Sequence, residues 1–160
     1  MFSQTYVSSA GNDTTGDGSE GNPYATLFKA ITETTGGGTI NIVGTITQTA
    51  AEVNITSLSK DLTFQGQSNG KITGDGTNRM FNLGQAVTLV FEDLTFEDFG
   101  SVVKGSVLFS SHASANITFR NCLFNNNSIA NSNGGGALHM SNSTFTIEDT
   151  TFSGNSNTAG

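Results

Sequence analysis

The chain has 160 residues, enough for one domain with a sizeable core, and a net charge of −7 with only 12% of its residues charged. Six Lys and Arg against thirteen Asp and Glu leave no basic patch to neutralise phosphates, which argues against nucleic acid and against an anionic membrane surface as partners. Abundant Gly, Ser, Thr and Asn suit a secreted, turn-rich β protein, and twelve Phe argue against disorder.

In chain order, Thr5-Tyr6-Val7 reads as a short strand, and Asn12 to Pro23 is a loop made of turn formers. Its acids Asp13, Asp17 and Glu20 are weak calcium candidates, because their spacing is not that of an EF-hand; the alternative is a solvated loop. Residues 24–34 read as a helix, with Tyr24, Leu27, Phe28 and Ile31 on one face, Pro23 ahead of it and Gly36-Gly37-Gly38 after it. From Thr39 onward the pattern is all strand: Thr39 to Thr47, Val53 to Thr56, Leu62 to Phe64, and two strands around Gly74-Asp75-Gly76. Gly105 to Phe109 and Gly135 to Met140 occupy equivalent slots.

The last third repeats itself. Phe119-Arg120-Asn121-Cys122-Leu123-Phe124 recurs 28 positions on as Ile147 to Phe152, and 28 positions back as Phe91 to Phe96, with a fainter copy at Leu62-Thr63-Phe64. A fixed period of this length marks a stacked repeat architecture, and within each copy the apolar residues alternate as in strands. The expected fold is all-β: a single-stranded parallel β-helix with a short N-terminal capping helix. Residues 1–38 form the expected cap and 39–160 the expected coils, the helix covering strand edges that the first coil would otherwise expose.

Stacking at roughly 4.8 Å then sets four ladders. Phe96, Phe124 and Phe152 form one inward column, and Phe64, Phe91, Phe119 and Ile147 another. Asp93, Asn121 and Asp149 fall together at a bend, where Asx side chains can bond backbone groups. Glu92, Arg120 and Glu148 alternate in sign on the outside. Cys122, the single cysteine, excludes an intrachain disulfide and reads as a packing residue. No apolar stretch is long enough for a transmembrane helix, and no signal peptide is visible. No C-terminal cap is visible either, so the coils are expected to continue beyond residue 160 or to be covered by another chain.

Phe124-Asn125-Asn126-Asn127 and Phe152-Ser153-Gly154-Asn155 match the motif FxxN, with Gly135-Gly136-Ala137-Leu138 between them as GGA[ILV]. That order resembles the repeats of chlamydial polymorphic membrane proteins, which implies the β-helical passenger of an autotransported surface adhesin, with Asn127, Asn155, Gly135 and Gly136 as its motif positions. The first 45 residues, through Tyr6-Val7-Ser8, Gly16-Asp17-Gly18-Ser19 and Asn22-Pro23-Tyr24-Ala25-Thr26-Leu27, resemble the N-terminal cap of secreted, right-handed, pectate-lyase-like β-helix proteins. That resemblance implies fold and export, and little about chemistry.

No catalytic constellation stands out. Lys71, Arg79 and Asp75 form one candidate trio, Asp93 and Asp149 lie two coils apart at roughly 9–10 Å by strand spacing, and His112 and His139 lack further metal ligands. The sequons at Asn12, Asn54, Asn116, Asn126 and Asn142 are expected from composition alone. The expected function is a non-catalytic extracellular or cell-surface module, a stalk or adhesin passenger binding glycan or protein on its lateral faces without a cofactor. The alternatives are the N-terminal part of a carbohydrate-active enzyme of lyase or epimerase type, and a structural unit self-associating end to end through open coils.

Overall fold

The computed structural model describes residues 2–53, 55, 58–131 and 134–158; Asn54 with its sequon, the end of the Val53–Thr56 strand and the last two residues lie outside the described residues. The chain begins with strand β1 (Phe2–Ser8), helix α1 (Leu27–Glu33), strand β2 (Thr34–Thr47), a 3-10 turn (Ala50–Glu52) and strand β3 (Leu62–Thr73). Three passes of four strands follow. They are β4 (Phe81–Leu83), β5 (Thr88–Glu92), β6 (Thr95–Glu97) and β7 (Gly100–Ser101); β8 (Leu108–Ser110), β9 (Asn116–Arg120), β10 (Leu123–Asn125) and β11 (Ser128–Ile129); and β12 (Leu138–Met140), β13 (Thr144–Glu148), β14 (Thr151–Ser153) and β15 (Ser156–Asn157).

Each strand pairs in parallel with its counterpart one pass away, as in the order β13-β9-β5-β3 and β6-β10-β14. The result is a parallel β-solenoid of about four turns. Side chains that recur at one offset therefore stand over one another. Phe64, Phe91 and Phe119 stack with ring centroids 4.8 and 5.0 Å apart, and Ile147 pairs with Phe119. Phe96, Phe124 and Phe152 stack at 5.0 and 4.8 Å. The two columns meet edge-on, Phe119 against Phe124 at 5.1 Å and 81°. Offset stacking and edge-to-face contact are the two arrangements that the ring quadrupole favours.

Burial is not uniform along the columns. Phe91, Phe96, Phe119 and Phe124 are fully buried, whereas Phe145, Ile147 and Phe152 are 50, 40 and 46% exposed. The last three sit on the final pass, where a neighbour covers one side only, so the inward ladder expected from sequence is buried in its first members and open at its last.

The asparagine of FxxN has a structural reason. Asn127 is fully buried at the corner after β10. Its Oδ1 accepts from Phe99 N (3.1 Å), and its Nδ2 donates to Phe96 O (3.0 Å) and Asn155 Oδ1 (2.9 Å). Asn155 repeats the move one pass on, donating to Phe124 O at 2.8 Å. Each side chain thus satisfies backbone groups of the pass before it. At Gly135 an added Cβ would lie 2.0 Å from Leu138 O, so the turn closes only around glycine, while Gly136 O accepts from Ser106 N and Ser106 Oγ.

The helix is shorter than its sequence pattern. It starts at Leu27 rather than 24, because Thr26 is the N-cap, its hydroxyl accepting from Lys29 N. Thr26 is in turn fixed by Asp13, whose carboxylate accepts from Ala25 N, Thr26 N and Thr26 Oγ1. Tyr24 bridges to Val7, and Phe28, expected on the core face, is 43% exposed, since Leu27, Ala30 and Ile31 fill the contact. Gly36-Gly37-Gly38 do not form a stop after the helix; they lie within β2, which begins directly at the C-cap Thr34.

Candidate functional site

A concavity of about 530 Å³ runs along the bend between the β5-β9-β13 and β6-β10-β14 faces. Leu94 and Cys122 form a buried floor; Thr95, Leu123 and Thr151 stand at one rim. Along its length lie Asp93, Asn121 and Asp149, with φ of 56, 50 and 46°. Asx residues tolerate this left-handed conformation better than other side chains, which is why the bend selects them.

Asp93 accepts from side chains, one of them its neighbour in the row, rather than bonding backbone as the sequence pattern allowed. Gln65 Nε2 donates to Asp93 Oδ2, and Asn121 Nδ2 to Asp93 Oδ1, both at 2.6 Å. The main chain at the bend is already occupied from pass to pass, Asp93 N donating to Arg120 O and Asn121 N to Glu148 O, each at 3.1 Å. Side chains are therefore left to pair with one another.

The groove has a wall only on the first turn. Two residues, 93 and 94, separate β5 from β6, but five, 66–70, separate the parts of β3 that pair with those strands. The extra length bulges outward through Ser68 and Asn69, both at positive φ (49 and 65°). Gly66 begins the excursion because a Cβ there would come within 2.0 Å of Asp93 O. In sequence the signal was the shift of offset, Phe64 pairing 27 positions on with Phe91 and Ile72 only 24 positions on with Phe96.

Beside the groove, Arg120 bridges Glu92 (2.8 Å) and Glu148 (2.7 Å), and those hydrogen bonds raise its pKa further. Cys122 is buried with its single thiol proton within reach of Phe91 O and Arg120 O, and burial pushes its pKa up to about 11 from 9.0, as suits a packing group.

Other sequence candidates fall elsewhere. Asp13 braces the N-cap Thr26, and hydrogen bonds from Ser19 hold the Asp17 carboxyl below the usual range; among the described residues no three His, Cys, Asp or Glu converge, so Asp13, Asp17 and Glu20 form no calcium cluster. The trio of Lys71, Arg79 and Asp75 separates. Lys71 pairs with Glu97 at 3.0 Å, Arg79 donates to Lys104 O and lies over the Phe109 ring, and Asp75 accepts from Thr77 and Asn78. His139 stacks on Phe109 at 5.6 Å rather than facing His112, whose Nδ1 accepts from Ser114 N; burial, then Lys104 and Arg79, lower the His139 pKa. Sequence reasoning missed a second Asx pair, Asn126 donating to Asp98 at 2.6 Å, although their spacing of 28 matched the other ladders. It also missed Glu52, fully buried under the helix, which accepts from Phe28 N and Thr49.

No protein-family profile matches this sequence, and comparison with curated proteins gives no match. Among solved structures the fold is similar to a rhamnogalacturonan lyase, at 14% identity and a TM-score of 0.48, over 92% of this chain and 56% of that one. The chain thus spans little more than half the length of that protein.

Proposed function

We propose that this chain is a non-catalytic, extracellular or cell-surface β-helix module that serves as a stalk or adhesin passenger and binds glycan on its lateral groove. The observation that carries the reading is the lining of that groove: carboxylate, amide and hydroxyl groups recur at the rung spacing, and no Lys, Arg or His is among the lining residues. Repeated hydrogen-bonding groups at about 5 Å suit a chain of sugar rings, which is itself a repeating array of hydroxyls. A cationic base, which uronate elimination needs, has no counterpart there. The FxxN and GGA[ILV] pattern supports the passenger role, and the low-charge, Gly- and Asn-rich composition supports export.

A glycan array combined with turnover assays on uronate polymers tests the proposal. Retention of a glycan without chain cleavage is the expected result. Cleavage of any polymer by this chain would replace the reading with that of a carbohydrate-active enzyme.

A further inference from the structure

The final pass, which the glycan reading does not use, is built as an interface with one side open. Strands β12, β13, β14 and β15 each stand last in their sheets, so their outer edges offer main-chain N–H and C=O groups. Leu138, Met140, Phe145, Ile147 and Phe152 gather there in a concavity of about 310 Å³, and the last three are 40–50% exposed. Joined apolar surface of this kind marks a protein contact. The opposite end of the solenoid is closed. On β1, Tyr6 N donates to Gly18 O and Ser8 N to Tyr24 O, and α1 buries Leu27, Ala30 and Ile31 beside them. A second copy therefore finds no open edge there on which to stack head to tail.

The open pass is complementary to itself. Taken antiparallel about Thr146, Phe145 meets Ile147, one residue to either side, and Met140 meets Phe152, six to either side. All four belong to the core side: Phe145, Ile147 and Phe152 stand over the buried Ile117, Phe119 and Phe124, and Met140 packs against the core. On the outer side Thr146 meets its own copy, Glu148 meets Thr144 and Asp149 meets Ser143, so no acid faces an acid. Apolar and Thr–Thr cross-strand pairs stabilise a sheet, and opposed like charges destabilise it. The three-residue strands β12 and β14 flank β13 on either side, which extends the symmetry beyond the central strand. A parallel copy of the same pass would instead set Glu148 over Glu148.

We infer that two copies of this chain join through their final passes, β13 pairing antiparallel with its copy across a two-fold axis at Thr146, and that the closed N-terminal end stops assembly at the dimer. The interface is isologous, so it closes on itself and builds no filament. The phenylalanine column of Phe96, Phe124 and Phe152 then runs on into Met140 of the second copy, and the assembly is a longer rod with a helix at each tip.

The test is sedimentation velocity of the 160-residue chain over a concentration series, with two variants at the axis. The parent should sediment as a dimer that dissociates on dilution and forms nothing larger. Thr146 is exposed, so Thr146→Asp should fold as the parent does by circular dichroism, and it should weaken the dimer about tenfold or more by opposing two carboxylates. Thr146→Cys should cross-link to its copy on mild oxidation, because paired Cα atoms about 4.5–5.5 Å apart lie within disulfide reach. Thr118→Cys, one pass back, should not, and the buried Cys122 stays out of the reaction. A monomer at every concentration, oligomers that grow past the dimer, or equal cross-linking at 118 and 146 would each overturn the inference. So would a free peptide of residues 116–131 that binds a monomeric protein one to one, since the face would then take a parallel pass, with Arg120 over Glu148, rather than a second copy. None of these outcomes bears on retention of a glycan by the lateral groove.

Discussion

Asn127→Ala is the substitution that most directly probes how the passes are held in register. The side chain is fully buried and makes three hydrogen bonds, to Phe99 N, Phe96 O and Asn155 Oδ1. Truncation strands the Phe99 N–H in a buried corner, at a cost of about 1–3 kcal/mol, and removes two further bonds with a net contribution of about 1 kcal/mol together. The expected loss is thus about 3 kcal/mol, or about 6–12 °C in melting temperature for a domain of this size. Urea denaturation followed by circular dichroism measures it, with Asn116→Ala as the comparison, since Asn116 is an exposed strand residue and should change stability by less than about 0.5 kcal/mol. If the two variants unfold at the same urea concentration, the buried asparagine is not what locks the corner.

Further outcomes follow from the same geometry. Phe124→Ala, at the centre of one column and touching Phe96, Phe119 and Phe152, should lose about 3–5 kcal/mol, whereas Phe152→Ala, already 46% exposed, should lose less than half as much in the same assay. Glu52→Ala should free the N–H groups of Phe28 and Thr49 and speed amide exchange in the helix, measured by hydrogen exchange with mass spectrometry; unchanged protection there would refute the anchoring role. The Cys122 thiol should resist a thiol reagent at pH 8 until the protein unfolds. Because its folded pKa lies above its unfolded one, the stability linked to it is complete below about pH 9 and is lost as pH rises toward 11. His139 should titrate by NMR below 6.5, its stabilising neutral form holding above that value and lost as pH falls through the lowered folded pKa.

Much of the fold was legible because stacking makes sequence offset equivalent to spatial adjacency. Phe96, Phe124 and Phe152 lie 28 apart in sequence and stand about 5 Å apart in space for the same reason. The Glu92–Arg120–Glu148 alternation was readable on the same grounds, and the structure joins it by two ion pairs. What escaped was whatever broke the period. The excursion at 66–70 that walls the groove has no copy on later passes, and Glu52 belongs to a segment outside the repeat. The helix start was misplaced because Pro23 and Tyr24 are used by the loop and by a bridge to Val7, contacts that helical periodicity does not register. At the groove the residues were visible but their bonding was not. A bend of Asx residues can satisfy backbone or side chains, and only the occupied main chain at Asp93 and Asn121 decides between them.

Because every pass leans chiefly on the two beside it, load applied along the axis meets a series of similar joints rather than one cooperative lock. Drawn from its ends, such a rod should lengthen in discrete increments, each releasing one repeat of chain, about 100 Å when fully extended. A solenoid built this way gives way turn by turn while its remaining turns keep the grooved flank in shape.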